Sequence, residues 1–345
     1  MSTNKKEESP ADAIYDEVDD NMKVQLKDFF DQKVDGGKKS VWSMSVETFG
    51  MVDGSETKND ILTPKFDQAM MAIQTMVKVA KKGKEEMWKL DVVPMDQFNA
   101  TMDDVLRSFI MWSRKEGDGN GNFNVSKAFR RLESYVSWVE SHRDDLKEPF
   151  NVEEIKKVAD AWKCNFTYDS KDRAVWWFDM GQMDLVAIKK NLSSRDQLRY
   201  VFYLCQFLMF DRKAQENGMV IVQSMGEKGM IDTFTMIPMD LSSQMDRLTI
   251  GVLPIRMKLC YTYNHLRWVS IMMTIFKPFM SSKMRSRIVV IPRKDDPAKV
   301  IGDDLGKDCI PVGFGDLKGK SKRDLFYDFL DKKKLDAEEE EGLEC

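Results

Sequence analysis

From about residue 150 onward, short apolar runs alternate with longer helical patterns, and this alternation constrains the fold more than any other feature of the chain. The runs are rich in β-branched and aromatic residues, which is typical of strands. They lie at 175–178, 219–222, 257–263 and 287–291. Helical patterns separate them, at 198–210, 239–253 and 266–280. Strands separated by helices pair as a parallel or mixed sheet. The sequence therefore predicts an α/β domain with a mixed, mostly parallel sheet flanked by helices.

The first half of the chain has a different pattern. Three segments show apolar residues at helical spacing, at 64–90, 97–115 and 126–142, with Ser126 as the expected N-cap of the third. We therefore expect a small all-helical domain before the α/β domain. The predicted boundaries are a loosely ordered extension at 1–60, a helical domain at 61–148, an α/β domain at 149–320, and a helical then acidic tail at 321–345.

Motifs of enzymes and metal sites are missing from the sequence. The only histidines are His142 and His265, and the chain has no nucleophile elbow, Walker loop or zinc-protease motif. Asp118, Asn120 and Asn122 have the spacing of a calcium loop, but phenylalanine occupies the sixth and twelfth positions, so we interpret this segment as a polar loop. We expect no catalytic residues, no metal and no cofactor other than a bound lipophilic molecule.

The segment at 266–280 is unusually apolar for a helix. Its polar residues form one narrow stripe, namely Arg267, Ser270, Thr274 and Lys277. A helix of this length is about 22 Å long, which is too short to span a membrane comfortably. Such a helix is either a central core helix or an element that meets lipid with one face.

Charge is segregated around this segment. No acidic residue lies between Arg247 and Lys294, whereas this stretch carries ten cations in a chain of net charge −4. The segregation indicates an anionic partner, although a solvated basic face is the alternative. Cations beside an apolar helix fit an anionic membrane surface better than nucleic acid.

Several motifs resemble the CRAL-TRIO, or Sec14-like, lipid-binding domain over about residues 97–320. They are Pro254-Ile255-Arg256, the strand into Tyr263-Asn264, Lys277-Pro278-Phe279-Met280, Arg287-Ile288-Val289-Val290, and Ile310-Pro311 with Phe314-Gly315. The resemblance implies a sheet floor, a mobile helical gate at 266–280 and a pocket for one lipid. The pocket lining that it implies is Trp177, Tyr203, Phe207, Ile221, Met245, Leu248, Leu253, Cys260, Trp268, Met272 and Phe276.

Two subclasses of this family differ in their charged residues. Yeast-type phosphatidylinositol transfer proteins pair an acid with the lysine of Lys-Pro-Phe, but Ile255 stands where that acid would be, so the pairing with Lys277 is lost. The basic cleft of the tocopherol transfer protein type is matched by cations at all four of its positions. Together with Lys277, the residues expected to contact an anionic or phosphoinositide membrane are Arg256, Lys258, Lys283 and Arg287.

The resemblance implies an intracellular protein that binds a hydrophobic small molecule or phospholipid and exchanges it through the gate at anionic, including phosphoinositide, membranes. We expect a cytoplasmic protein that visits membranes transiently and does not bind nucleic acid. The alternative is a regulatory or scaffold module that is recruited to membranes and binds lipid without transferring it.

Overall fold

The computed structural model describes residues 60–115, 122–226, 237–267, 269–270, 282–315 and 317–343. The predicted N-terminal extension, most of the predicted gate and the polar loop at 118–122 lie almost entirely outside these residues. The N-terminal part is helical, as predicted. Its helices are α1 (Phe66–Lys81), α2 (Met102–Ser113), α3 (Val125–Ser141) and α4 (Arg143–Leu146), and the short strands β1 (Leu62–Thr63) and β2 (Phe123–Asn124) pair beside them.

Side-chain capping sets where these helices begin, and two predicted starts were wrong. The α2 helix begins at Met102 because Thr101 and Asp104 form a capping box, and Asn99 before it has a left-handed backbone. The N-cap of α3 is Asn124, whose side chain accepts from the Lys127 amide. Ser126, the predicted cap, is buried and accepts a hydrogen bond from the amide of Ile61 instead.

The C-terminal part is the predicted α/β domain. Its strands are β3 (Asn165–Tyr168), β4 (Ala174–Asp179), β5 (Met219–Ser224), β6 (Met257–Tyr263) and β7 (Ile288–Val290). They form one five-stranded sheet in this order, in which β4 to β7 are parallel and only β3 is antiparallel. The mixed, mostly parallel sheet is therefore confirmed. The edge strand β3 was not predicted.

Helices cover this sheet and connect its strands. They are α5 (Val152–Trp162), α6 (Ser194–Phe210), α7 (Arg212–Asn217), α8 (Met239–Asp246), α9 (Ser282–Arg287), α10 (Pro297–Leu305) and α11 (Leu325–Leu343), with π-helical turns at Ala187–Asn191 and Arg247–Val252. A capping box of Ser193 and Asp196 starts α6.

The two faces of the sheet differ in burial. Residues in register on neighbouring strands share a face. One face, which we call the sealed face, is largely buried against α10 and the segment that follows it. Its buried side chains are Val175, Trp177, Val220, Val222, Tyr261 and Tyr263, and Leu259 and Val289 on the same face are half-buried. The other face, which we call the open face, is mostly only half-buried; its side chains are Trp176, Phe178, Ile221, Gln223, Cys260, Thr262, Ile288 and Val290.

Arg131 connects the helical part to the α/β domain. Its guanidinium donates to the carbonyl oxygens of Ile250, at 2.7 Å, and Leu253, at 2.8 and 3.1 Å. The ring of Trp112 lies 4.3 Å from the same guanidinium. Because these carbonyls belong to the π-helical turn and the residue after it, Arg131 fixes the segment that leads into β6.

Candidate functional site

The open face is the candidate ligand site, and protein side chains cover only part of it. Near β3, the Trp176 ring packs on Phe166 with centroids 5.6 Å apart, and Phe178 packs on Trp162 at 6.1 Å. Towards β7, Ile288 and Val290 stay half-buried. The predicted gate follows β6 in the chain and precedes α9, and only residues 266, 267, 269 and 270 of it are described.

Cys260 lies in the middle of the open face. Burial raises the pKa of its thiol to about 11, and contact with the Thr262 hydroxyl opposes this only in part. The side chain is nevertheless half-accessible. A side chain that is surrounded by protein and still accessible lies at the base of a concave surface. The raised pKa keeps the thiol protonated, so it contributes an apolar contact rather than a nucleophile.

Two of the predicted lining residues meet on the open face. Ile221 and Cys260 are register partners on β5 and β6, and both are half-buried. Val220 and Val222 on the same strand are buried, because they belong to the sealed face.

Trp177, another predicted lining residue, does not lie on the open face. Its ring is fully buried on the sealed face, where it contacts Phe314 at a centroid distance of 5.2 Å. Its indole N–H donates to Thr167 Oγ1 at 2.8 Å. Successive residues of a strand point to opposite faces, so Trp176 occupies the open face in place of Trp177.

Tyr203 and Phe207 lie in an aromatic cluster rather than on the open face. Phe207 contacts Phe326 at 5.2 Å and Phe329 at 5.5 Å, and Tyr203 contacts Phe98 at 5.0 Å. The cluster is filled by the protein's own rings, so the prediction that these two residues line the ligand site does not fit the structure.

Three further predicted lining residues lie on α8, on the π-helical turn and directly after that turn. Leu248 and Leu253 are buried in the main core, and Met245 is half-buried against it. Asp246 at the end of α8 is exposed, although surrounding protein raises the pKa of its carboxyl through desolvation. Trp268, Met272 and Phe276 lie outside the described residues.

The cations that were predicted to contact a membrane have different surroundings within the protein. Arg256 donates to the backbone carbonyls of Gln215, at 3.0 Å, and Glu216, and so binds the last turn of α7. Lys258 lies across Gly218, where a Cβ atom would come within 2.9 Å of the lysine stem. Arg287 ends α9 and is half-buried.

The predicted set contains two further cations. Lys283 belongs to α9, but its side chain is not described, and Lys277 lies outside the described residues.

Both histidines contact neighbouring groups of the described chain. The ring nitrogens of His265 lie 3.1 and 3.2 Å from the carbonyl oxygens of Leu266 and Ile291. His142 stacks on Trp138 with ring centroids 4.1 Å apart.

Sequence reasoning missed most of the open face. Its unpredicted members are Trp176, Phe178, Gln223, Thr262, Ile288 and Val290. A period-2 pattern separates each strand into two faces, but it does not tell which face is sealed. Ile221 and Cys260, combined with the register of the strands, would have identified these neighbours.

A separate cleft of about 400 Å³ opens at the β3 edge of the sheet. Its walls include the polar residues Thr167, Asp169, Ser321 and Arg323, and it contains none of the predicted lining residues. Among the described residues, no group of three or more His, Cys, Asp or Glu side chains is arranged to hold a metal ion. No helix within the described ranges is both long and apolar enough to cross a membrane.

Comparison with known proteins agrees with this architecture. The family model for the CRAL/TRIO domain matches residues 163–315, which contain all five strands of the sheet. This segment is similar to the CRAL/TRIO domain. Among solved structures, the chain is similar to the crystal structure of Sfh5, with 17% sequence identity, 76% of this chain and 88% of that chain covered, and a TM-score of 0.44. No curated protein matches the chain. A CRAL-TRIO domain supports the binding or transfer of a lipophilic ligand in general.

Proposed function

We propose that the protein binds one lipophilic molecule on the open face and exchanges it with anionic membranes through the segment at 266–280, without catalysing a reaction. The asymmetry of the sheet is the observation that carries this proposal. The sealed face is closed by α10, whereas most side chains of the open face remain half-buried. Exposing an apolar face to water is unfavourable, and an exchangeable ligand beneath a gate would remove that face from water.

The energetics of exchange fit this proposal. Burying a 16-carbon chain contributes on the order of 10 kcal/mol at about 0.8 kcal/mol per methylene. Leaving a bilayer costs a similar amount, so the net free energy of transfer lies near zero. The protein then has to bring the ligand site to the membrane surface. The cations around the gate would do so by docking on the membrane.

The resemblance to the tocopherol transfer protein type supports phosphoinositides as the anionic component of that membrane. One of the proposed contacts, Arg256, also has a partner within the protein. Arg256 binds backbone carbonyls of α7, so its substitution would loosen that helix as well as remove a charge. We therefore assign most of the docking free energy to Lys258, Lys277, Lys283 and Arg287.

Alanine substitution of Lys258, Lys283 and Arg287 tests the docking proposal. Each docked cation contributes about 1 kcal/mol, so the triple variant should bind vesicles that contain phosphoinositide on the order of 100-fold more weakly. The measurement is co-sedimentation with such vesicles at two salt concentrations, because screening should weaken the wild-type protein more than the variant.

A matched variant controls for the loss of three charges. Lys82, Lys84 and Lys189 are exposed and lie outside the basic stretch, and their replacement by alanine should leave vesicle binding within about twofold of wild type. Equal binding by both triple variants would contradict docking through the basic stretch. Docking without movement of lipid between vesicles would favour the regulatory or scaffold alternative.

A further inference from the structure

A short run of cations precedes α11 and lies outside both the basic stretch and the open face. Its members are exposed and follow one another closely: Lys318, Lys320, Lys322 and Arg323. No acidic residue lies between Asp316 and Asp324 in the sequence, and the Asp324 carboxyl is largely buried. Such a density of one sign of charge favours an anionic partner.

Acidic neighbours offset these cations only in part. Lys320 lies 4.0 Å from Asp308, and Arg323 lies 2.8 Å from Asp328. All four of these side chains are more than half exposed. Exposed ion pairs of this kind contribute little, so the positive charge stays available to a partner.

Hydrogen bonds fix the backbone of this segment against residues 310–312. The Ile310 carbonyl accepts from the amides of Lys320 and Ser321, at 2.9 Å each. Gly319 lies so close to the same strip that a Cβ atom would come within 2.0 Å of the Pro311 carbonyl oxygen, so only glycine fits there. A backbone that is already ordered loses less conformational entropy on binding than a free loop does. The cations are therefore displayed from a pre-organised backbone.

An exposed apolar side chain accompanies the cations. Val312 is 57% exposed, and its amide donates to the Ser321 carbonyl at 2.8 Å, which places it beside the cationic segment. The only aromatic ring within 312–323 is that of Phe314, which is 3% exposed. Single-stranded nucleic acid is bound largely by exposed rings on which bases stack. An exposed valine among lysines fits the interface of an anionic bilayer better.

This surface is separate from the cations of the proposed docking site. Ser321 and Arg323 line the cleft at the β3 edge together with Thr167. Lys258 lies on β6, and Arg287 directly precedes β7. In the order of the sheet β3 and β6 are three positions apart, which corresponds to about 14 Å at about 4.8 Å per strand. Since this distance exceeds the Debye length of about 8 Å at physiological salt, the two groups of cations act independently.

We propose that Val312 and the cations of 317–323 form a second contact with anionic membranes. This inference rests on the proposed docking of the protein on such membranes. A protein held at one contact turns freely about it, whereas two contacts at different strands fix how the protein lies. The second contact would therefore hold the sheet at a constant orientation to the bilayer.

Alanine substitution of Lys318, Lys320 and Lys322, which we call the segment variant, tests this contact. The full-length protein is co-sedimented with vesicles of phosphatidylcholine and phosphatidylserine in equal parts, and with vesicles of phosphatidylcholine alone. The segment variant should bind the anionic vesicles about 100-fold more weakly than the wild type, because each docked lysine contributes about fivefold.

Matched variants control for charge and for exposed apolar surface. The charge control is the alanine variant of Lys82, Lys84 and Lys189, which should bind within about twofold of the wild type. Val312→Ser removes the apolar part of the contact and should weaken binding about fivefold. Leu335→Ser is its control and should leave binding unchanged, because Leu335 is 59% exposed and is followed by the acidic residues of the tail.

The outcomes separate this inference from the proposed function. The alanine variant of Lys258, Lys283 and Arg287 is measured beside the segment variant and in combination with it, and the combination should bind more weakly than either. Unchanged binding by the segment variant, with weaker binding by the other, would overturn the second contact and leave the proposed docking intact. The reverse result would contradict the proposed docking site and support the second contact. Unchanged binding by Val312→Ser would overturn a lipid partner and favour a polyanion that needs charge alone.

Discussion

Asp324 binds the first turn of α11 with a carboxylate that is largely removed from water. Its Oδ1 atom accepts from the amides of Phe326, at 3.0 Å, and Tyr327, at 3.3 Å. Burial raises the pKa of this carboxyl to about 6, although the backbone amides lower it in part. The folded state therefore holds the proton more tightly than the unfolded chain does. The group favours folding most in acid, and this contribution is lost as the pH rises from about 4 to about 6.

We expect Asp324→Asn to raise the free energy of unfolding by about 1–3 kcal/mol at pH 7.5, because asparagine keeps the cap and removes the buried charge. At pH 4 the variant and the wild type should be equally stable. Urea unfolding at the two pH values measures this. Asp296→Asn is the control, since Asp296 caps α10 from an exposed position and its replacement should give no gain. A loss of stability in Asp324→Asn at pH 7.5 would contradict the account.

At the scale of elements, α11 joins the two parts of the molecule, although it lies outside the residues matched to the CRAL/TRIO domain. Phe326 contacts Phe207 of α6, and Phe329 stacks on Phe98 of the helical part with centroids 5.0 Å apart. Farther along, Lys334 pairs with Glu153 of α5 at 2.7 Å. The sequence predicted a helix here but not its packing, because contacts between distant segments leave no local periodicity.

The buried rings of α11 should therefore carry its contribution to stability. Phe326 is 1% exposed, and its replacement by alanine should lower the free energy of unfolding by about 3–5 kcal/mol. Leu335 on the same helix is 59% exposed, and its replacement by alanine should change stability by less than about 0.5 kcal/mol. Denaturant unfolding of both variants measures the contrast, and similar small losses in the two would show that α11 is not part of the core.

At the scale of the whole molecule, the sequence predicted the helical part, the positions of four strands along the chain and the mostly parallel sheet. These features depend on local patterns that single segments carry. The composition of the site depended instead on which face of the sheet α10 seals, and no local pattern contains that information. For this reason Trp177 was assigned to the ligand and Trp176 was overlooked, although the strand that holds both was predicted correctly.

The central claim is that the open face is covered by an exchangeable lipophile. Native mass spectrometry of the purified full-length protein, followed by solvent extraction of whatever is bound, tests it most directly. We expect one lipophilic molecule per chain. After incubation with vesicles that contain hexadecanol, one hexadecanol molecule per chain should have replaced it. A protein that carries no lipophile after purification, and takes up none from those vesicles, would contradict it.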